Sequence, residues 1–128
     1  FGINRIRDYN MNDQLTLDMQ EEVTRIVTIA VNNRLDAFSA AGFRSQLQIL
    51  LDQGVNRLVI DLSQTPFLDS AGMAALVSAL KQCRQRNGDV RLVAPQSEAV
   101  KRILELTKFD RVFEMKKSTQ EAVASFHG

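Results

Sequence analysis

Cysteine occurs once in this chain and histidine once, and those two scarcities remove most of the chemistry a small domain can carry. A lone cysteine, Cys83, cannot close a disulfide within the chain. It falls inside a helical apolar pattern and reads as a small core residue of a reducing compartment, with the cytoplasm as the expected location. The one histidine, His127, sits beside the C-terminus, which argues against a Ser–His–Asp triad. No cluster of Cys and His has zinc spacing. Neither a Gly-x-x-x-x-Gly-Lys loop nor a dinucleotide glycine fingerprint is present. No apolar run approaches the roughly 20 residues of a membrane span, and no secretory signal is visible. Nor is there an excess of one charge. Sixteen Lys and Arg against fifteen Asp and Glu give a net charge of +1, unlike a strongly basic nucleic-acid binder. No catalytic site, cofactor or metal is expected on these grounds.

What remains is 128 residues, 45% of them apolar, enough for one domain with a real core. Residues 1–12 show no clear period and are expected to be an arm or a boundary remnant, with the domain over 13–128. Starting at Phe1, the chain reads as a processed end or a piece of a longer protein. Gln14 to Met19 alternates polar and apolar, as a half-buried strand does. Arg25 to Val31 is the strongest β-branched run. The short acidic interval Gln20-Glu21-Glu22 between them predicts an antiparallel hairpin. From about Ala37 to Gln53, Phe43, Leu47, Leu50 and Leu51 share one helical face, with Asp36 expected as its cap and Gly54 as its end.

Arg57 to Leu62 is apolar at nearly every position, the pattern of a strand covered on both faces. A helix from about Ala71 to Arg86 follows, with Met73, Leu76, Val77, Leu80 and Cys83 on one side. Val90 to Val93 is a strand that Pro95 breaks, and Ser97 to about Lys108 is a helix. Arg111 to Glu114 is expected to be a short last strand. Ser118-Thr119-Gln120-Glu121 is a capping-box pattern opening a last helix. Lys101-Arg102 and Lys116-Lys117 read as solvated faces. The expected class is α/β, in the order β-β-α-β-α-β-α-β-α. Helical crossovers imply a mostly parallel sheet with an antiparallel first strand.

Sites in such sheets form outside the carboxyl ends of the strands. The loops 32–37, 63–72 and 94–97 meet that description, so Asp36, Asp69 and Ser70 are expected at one end of the molecule. Between Leu58-Val59-Ile60 and the following helix lies Asp61 to Met73, which delivers Ser70 to a first helical turn. Two readings of Ser70 stand side by side. It can be a plain N-cap, or an exposed hydroxyl held for a partner.

These residues carry a resemblance. Asp61-Leu62-Ser63 through Phe67-Leu68-Asp69-Ser70-Ala71-Gly72 is similar to the signature of the STAS domain, a hydrophobic strand followed by Asp-Ser-x-Gly opening a helix. Arg34-Leu35-Asp36-Ala37 matches the Leu-Asp start of that family's first helix. Pro95 to Lys101 resembles its later Pro-x-Val-Lys/Arg region. The likeness spans Gln14 to Phe126 and is nearest to the bacterial anti-sigma factor antagonists. One departure is Asn33, where a glycine is common; Asn tolerates a left-handed backbone.

The resemblance implies a binding module rather than an enzyme. Ser70 would be phosphorylated by an anti-sigma factor serine kinase, which brings its own ATP and magnesium. The unphosphorylated domain would bind that anti-sigma factor and free the sigma factor; a serine phosphatase would restore binding. Asp36, Asp69, Ser70, Ala71, Gly72 and Met73 would form the contact surface, with no direct nucleic-acid partner. Gly72 is expected to let a partner's backbone approach, so that Gly72→Ala keeps or raises stability. An alternative in the same fold is a regulatory STAS domain of a larger sensor, lipid-transport or anion-transporter assembly. A small hydrolase using Asp36, Asp69 and Ser70 lacks a base, an oxyanion group and a phosphate loop.

Overall fold

A computed structural model describes residues 3–11, 15–22 and 25–127. Its six-stranded sheet runs β1 (Ile3–Met11), β2 (Leu15–Glu22), β3 (Ile26–Val31), β4 (Arg57–Asp61), β5 (Asp89–Val93) and β6 (Glu114–Lys116), in that spatial order. Strands β1, β2 and β3 pair antiparallel; β3 to β6 pair parallel. Each parallel step crosses over through helix: α1 (Ala40–Asp52), α2 (Ser70–Gln85), then α3 (Glu98–Leu106) with the single turn α4 (Phe109–Val112). Helix α5 (Thr119–Ala124) closes the chain. From β2 onward the expected succession recurs, with α4 added to it.

Side-chain alternation divides the strands between two cores. Val27 and Ile29 of β3, Leu58 and Ile60 of β4, and Val90 and Leu92 of β5 face one way. There they join Phe43, Leu47, Leu76, Ala79, Cys83, Val100 and Leu104 from α1, α2 and α3. Ile26, Val59 and Val93 face the other way, against Ala122 of α5. Leu58, Val59 and Ile60 of β4 are all buried, so that strand is covered on both sides. Three crossovers that step in one direction across a parallel sheet, each right-handed, put their helices on one face. Burial pushes the Cys83 thiol up to about 11, which keeps it neutral and unreactive at ordinary pH.

Four local expectations need correcting. The stretch read as a periodless arm contains β1, which pairs along β2 with a register shift between Arg5 and Arg7. The acidic interval Gln20 to Glu22 belongs to β2 rather than to a connection. Residues 111–114 do not form the last strand. Lys108 turns left-handed at φ 61, a one-turn helix follows, and pairing begins at Glu114. Asp36 is not the cap of α1; the residue before that helix is Ser39, whose side chain caps nothing. Gly54 does close α1, at φ 90, where a side chain would be strained.

Candidate functional site

The carboxyl ends of β3, β4, β5 and β6 lie side by side, and their loops are sewn to one another before any side chain is counted. Leu35 N–H donates to the Phe67 carbonyl at 3.0 Å, and Asp69 N–H donates back to the Leu35 carbonyl at 3.3 Å. Leu35 and Leu68 thus pair like a one-residue extension of the parallel sheet. Gln96 N–H reaches the Ser63 carbonyl at 3.3 Å, and Ala94 N–H the Lys116 carbonyl at 2.8 Å. Thr65 is fully buried and donates its hydroxyl to the Val31 carbonyl at 2.7 Å. The sequence reading missed Thr65. A polar residue in a polar loop gives no sign that its hydroxyl is the bolt holding that loop to β3.

On this base the start of α2 is built by Asp69, not by Ser70. Asp69 is the N-cap, with extended backbone. One carboxylate oxygen accepts the N–H groups of Ala71 at 2.9 Å and Gly72 at 3.0 Å. Those are donors with no partner inside the helix, and the helix start favours negative charge. The other oxygen accepts the Ala37 N–H at 3.1 Å, in the neighbouring loop. A single carboxylate therefore fixes both the helix and the loop beside it. Ser70 is the first helical residue and is exposed. The cap expected of Ser70 is a role that Asp69 fills. A longer, charged side chain one residue earlier reaches two amides and still has an oxygen for the next loop.

Gly72 and Met73 sit beneath this surface rather than on it, both buried. A Cβ on Gly72 would run into the Leu35 carbonyl oxygen and crowd the Leu68 side chain. The backbone that approaches Gly72 is thus the protein's own. Ala71 is half-buried, as is Asp69.

Asp36 is buried at 8% exposure, and its carboxylate organises the turn before α1. One oxygen accepts the N–H groups of Phe38 at 3.0 Å and Ser39 at 3.2 Å; the other meets Arg34 Nε at 3.2 Å. Burial pushes its pKa up. The Arg34 guanidinium and the two amides outweigh that together, so the carboxyl titrates below its ordinary range. The Arg34 guanidinium carbon stands over the Phe67 ring, 4.1 Å from its centroid, a further tie between the two loops. Ser39 is buried; its hydroxyl donates to the Arg34 carbonyl at 2.8 Å and accepts from Asp36 N–H at 3.0 Å. Asp36 and Asp69, expected at one end, stand in adjoining loops joined by the Asp69–Ala37 bond. Asp61 is spent locally, accepting the Ser63 N–H at 2.9 Å. Among the described residues no group of three His, Cys, Asp or Glu is placed to hold a metal ion, and no helix is long and apolar enough to cross a membrane.

A family model described as the STAS domain matches residues 18–122. The anti-sigma-B factor antagonist of Listeria monocytogenes is 28% identical over 102 residues, covering 80% of this chain and 89% of its own. A Thermotoga maritima protein of known crystal structure superposes with a TM-score of 0.81 at 26% identity, covering 88% of this chain and 95% of its own. The anti-sigma factor antagonist SpoIIAA in its unphosphorylated form shares the fold at a TM-score of 0.71 and 18% identity, over 88% of this chain and 98% of that one.

Proposed function

Because the chain belongs to the STAS domain family, we propose that it is an anti-sigma factor antagonist switched off by phosphorylation of Ser70. In its unphosphorylated form it binds an anti-sigma factor that is itself a serine kinase, and the sigma factor is released. A serine phosphatase reverses the modification. Ala71 and the half-buried Asp69 flank Ser70 at the contact, while Asp36, Gly72 and Met73 hold its shape from below. The domain brings no catalytic group of its own; ATP and magnesium come with the kinase. The antagonists among its relatives support the reading.

The observation that carries it is the division of labour at the start of α2. Asp69 has taken the capping role, and Ser70 is left exposed with a hydroxyl that no helix end requires. A kinase needs such a hydroxyl. The two other serines considered on this face are less available. Ser97 accepts the Val100 N–H with its hydroxyl at 3.4 Å. Ser63 is half-buried, with its amide and carbonyl both bonded.

The switch follows from the same arrangement. Phosphoserine adds about −1.5 to −2 charges. The Ala71 and Gly72 amides, which would receive an anion at a helix start, are already held by the Asp69 carboxylate. The phosphate is thus set beside a fixed negative charge. Against a partner surface shaped for a hydroxyl, it would have to lose water without a replacement, at a cost of roughly 2–7 kcal/mol even for a neutral polar group.

Incubation with purified anti-sigma factor serine kinase, ATP and magnesium should add one phosphate, and peptide mapping should place it on Ser70. Phosphate on Ser63 or Ser97 instead would overturn the assignment. In a parallel capture experiment the wild type should retain the kinase and Ser70→Asp should not.

A further inference from the structure

Phe38 is 75% exposed, the most exposed large apolar side chain among the described residues. A single exposed apolar residue is unremarkable by itself. What sets this one apart is how its backbone is held. Its own N–H and that of Ser39 both donate to the Asp36 carboxylate. The N–H of the residue before it, Ala37, donates to Asp69. Three consecutive amides are pinned by two carboxylates, so the benzyl group projects from a fixed point with only two torsions to lose on contact. The second of those carboxylates is the one that starts the helix carrying Ser70. Phe38 and Ser70 are therefore held in fixed relation through Asp69.

We infer that Phe38 is the apolar anchor by which the serine kinase grips this domain, seated in an apolar socket on the kinase surface while Ser70 meets the active site. The inference rests on the reading of Ser70 given above and adds the element that supplies affinity. Aromatic anchors near the centre of an interface carry a large share of its binding energy. An anchor seated equally in the bound and reacting states changes KM and leaves kcat alone. The rest of the loop offers nothing comparable, since Leu35 is buried and Ala37 is small.

The test pairs Phe38→Ala with Leu106→Ala. Leu106 is 73% exposed but lies at the last residue of α3, away from the carboxyl ends of the strands. With purified anti-sigma factor serine kinase as the probe, Phe38→Ala should raise both Kd and the KM for Ser70 phosphorylation by about 30-fold. Its kcat and melting temperature should hold, and Phe38→Tyr should recover most of the loss. Leu106→Ala should behave as wild type. Unchanged affinity in Phe38→Ala, with wild type still bound and phosphorylated, would sink the inference and leave the Ser70 reading standing. A fall in kcat at constant KM, or a loss shared by Leu106→Ala, would also overturn it. Failure of the wild type to bind or accept phosphate would remove both readings.

Discussion

Helix α3 begins at Ser97, whose hydroxyl accepts the Val100 N–H; helix α2 begins at Asp69, whose carboxylate accepts the N–H groups of Ala71 and Gly72. Helix α5 follows the α3 pattern, with Ser118 accepting the Glu121 N–H at 3.1 Å. In α3 and α5 a serine is the cap and its hydroxyl is committed. In α2 the serine stands one residue later, free of that duty. The third helical residue differs too: Val100 in α3, Glu121 in α5, Gly72 in α2. In α2 a neighbouring backbone, that of Leu35, is pressed against that position. The α3 and α5 starts are solutions to helix termination alone. The α2 start is a solution to two problems, because the carboxylate that caps the helix also holds the Ala37 amide of the neighbouring loop.

Gly72→Ala should separate the two kinds of helix start most sharply. A methyl group there meets the Leu35 carbonyl oxygen, a backbone atom held on both sides by the stitched loops. Overpacking of this kind costs about 1–3 kcal/mol and sometimes more, and this site belongs at the upper end. The usual gain of about 1 kcal/mol for alanine over glycine in a helix does not offset it. Thermal melting should drop by about 10 °C. An unchanged or raised melting temperature would restore the sequence-based expectation that Gly72 is open to a partner.

Asp69→Ala comes next in size. It removes the cap, worth typically about 1 kcal/mol, and with it the bond to Ala37. The combined loss should approach about 2 kcal/mol. Ser97→Ala, which removes a cap and nothing else, should cost about 1 kcal/mol. Urea unfolding of the two variants compares them directly. Equal losses would mean that the Asp69–Ala37 link contributes nothing measurable. Ser70→Ala should then be almost silent, within about 0.5 kcal/mol of wild type, because the capping energy belongs to Asp69.

The difference between the two helix starts was only half legible in the sequence. Leu58-Val59-Ile60, the proline and the Asp69-Ser70 pair located the loop, because a buried strand and an amphipathic helix have distinct periods. The choice of cap was not legible. Asp and Ser are about equally good N-caps, and adjacent candidates are decided by which one the tertiary structure can also use. Asp69 won because its second oxygen reaches Ala37, in a loop 32 residues away. Gly72 misled for a related reason: a glycine at a helix start looks like open space until the carbonyl that fills it is seen. Strand β1 was missed because an outer strand beside an antiparallel neighbour need not alternate strictly. Val112-Phe113 looked like a strand from its β-branched and aromatic content. The left-handed Lys108, which restarts a helical turn there, has no composition signal.

The smallest expected effect is that of the phosphate on the fold itself, and it bears on what the α2 start is for. A phosphate on Ser70 feels the positive end of the helix, worth about 0.3–1 kcal/mol at an exposed site. It also feels the Asp69 carboxylate, which already occupies the Ala71 and Gly72 amides. Repulsion between two solvated groups at this range is screened to a similar size. The two effects oppose each other, so the melting temperature should move by no more than about 1 °C. If the phosphate instead captured the amides from Asp69, the carboxylate would swing away and release Ala37. Amide shifts would then spread from Ser70 into the turn at Ala37, Phe38 and Ser39, on the far side of the Asp69 link. The Leu35–Phe67 and Asp69–Leu35 backbone bonds do not depend on that carboxylate, so they should hold the two loops in place. Amide NMR of phosphorylated and unphosphorylated protein should therefore show changes confined to the first turn of α2. Shifts that reach Phe38 would mean that the helix start transmits the phosphate as well as displaying the serine.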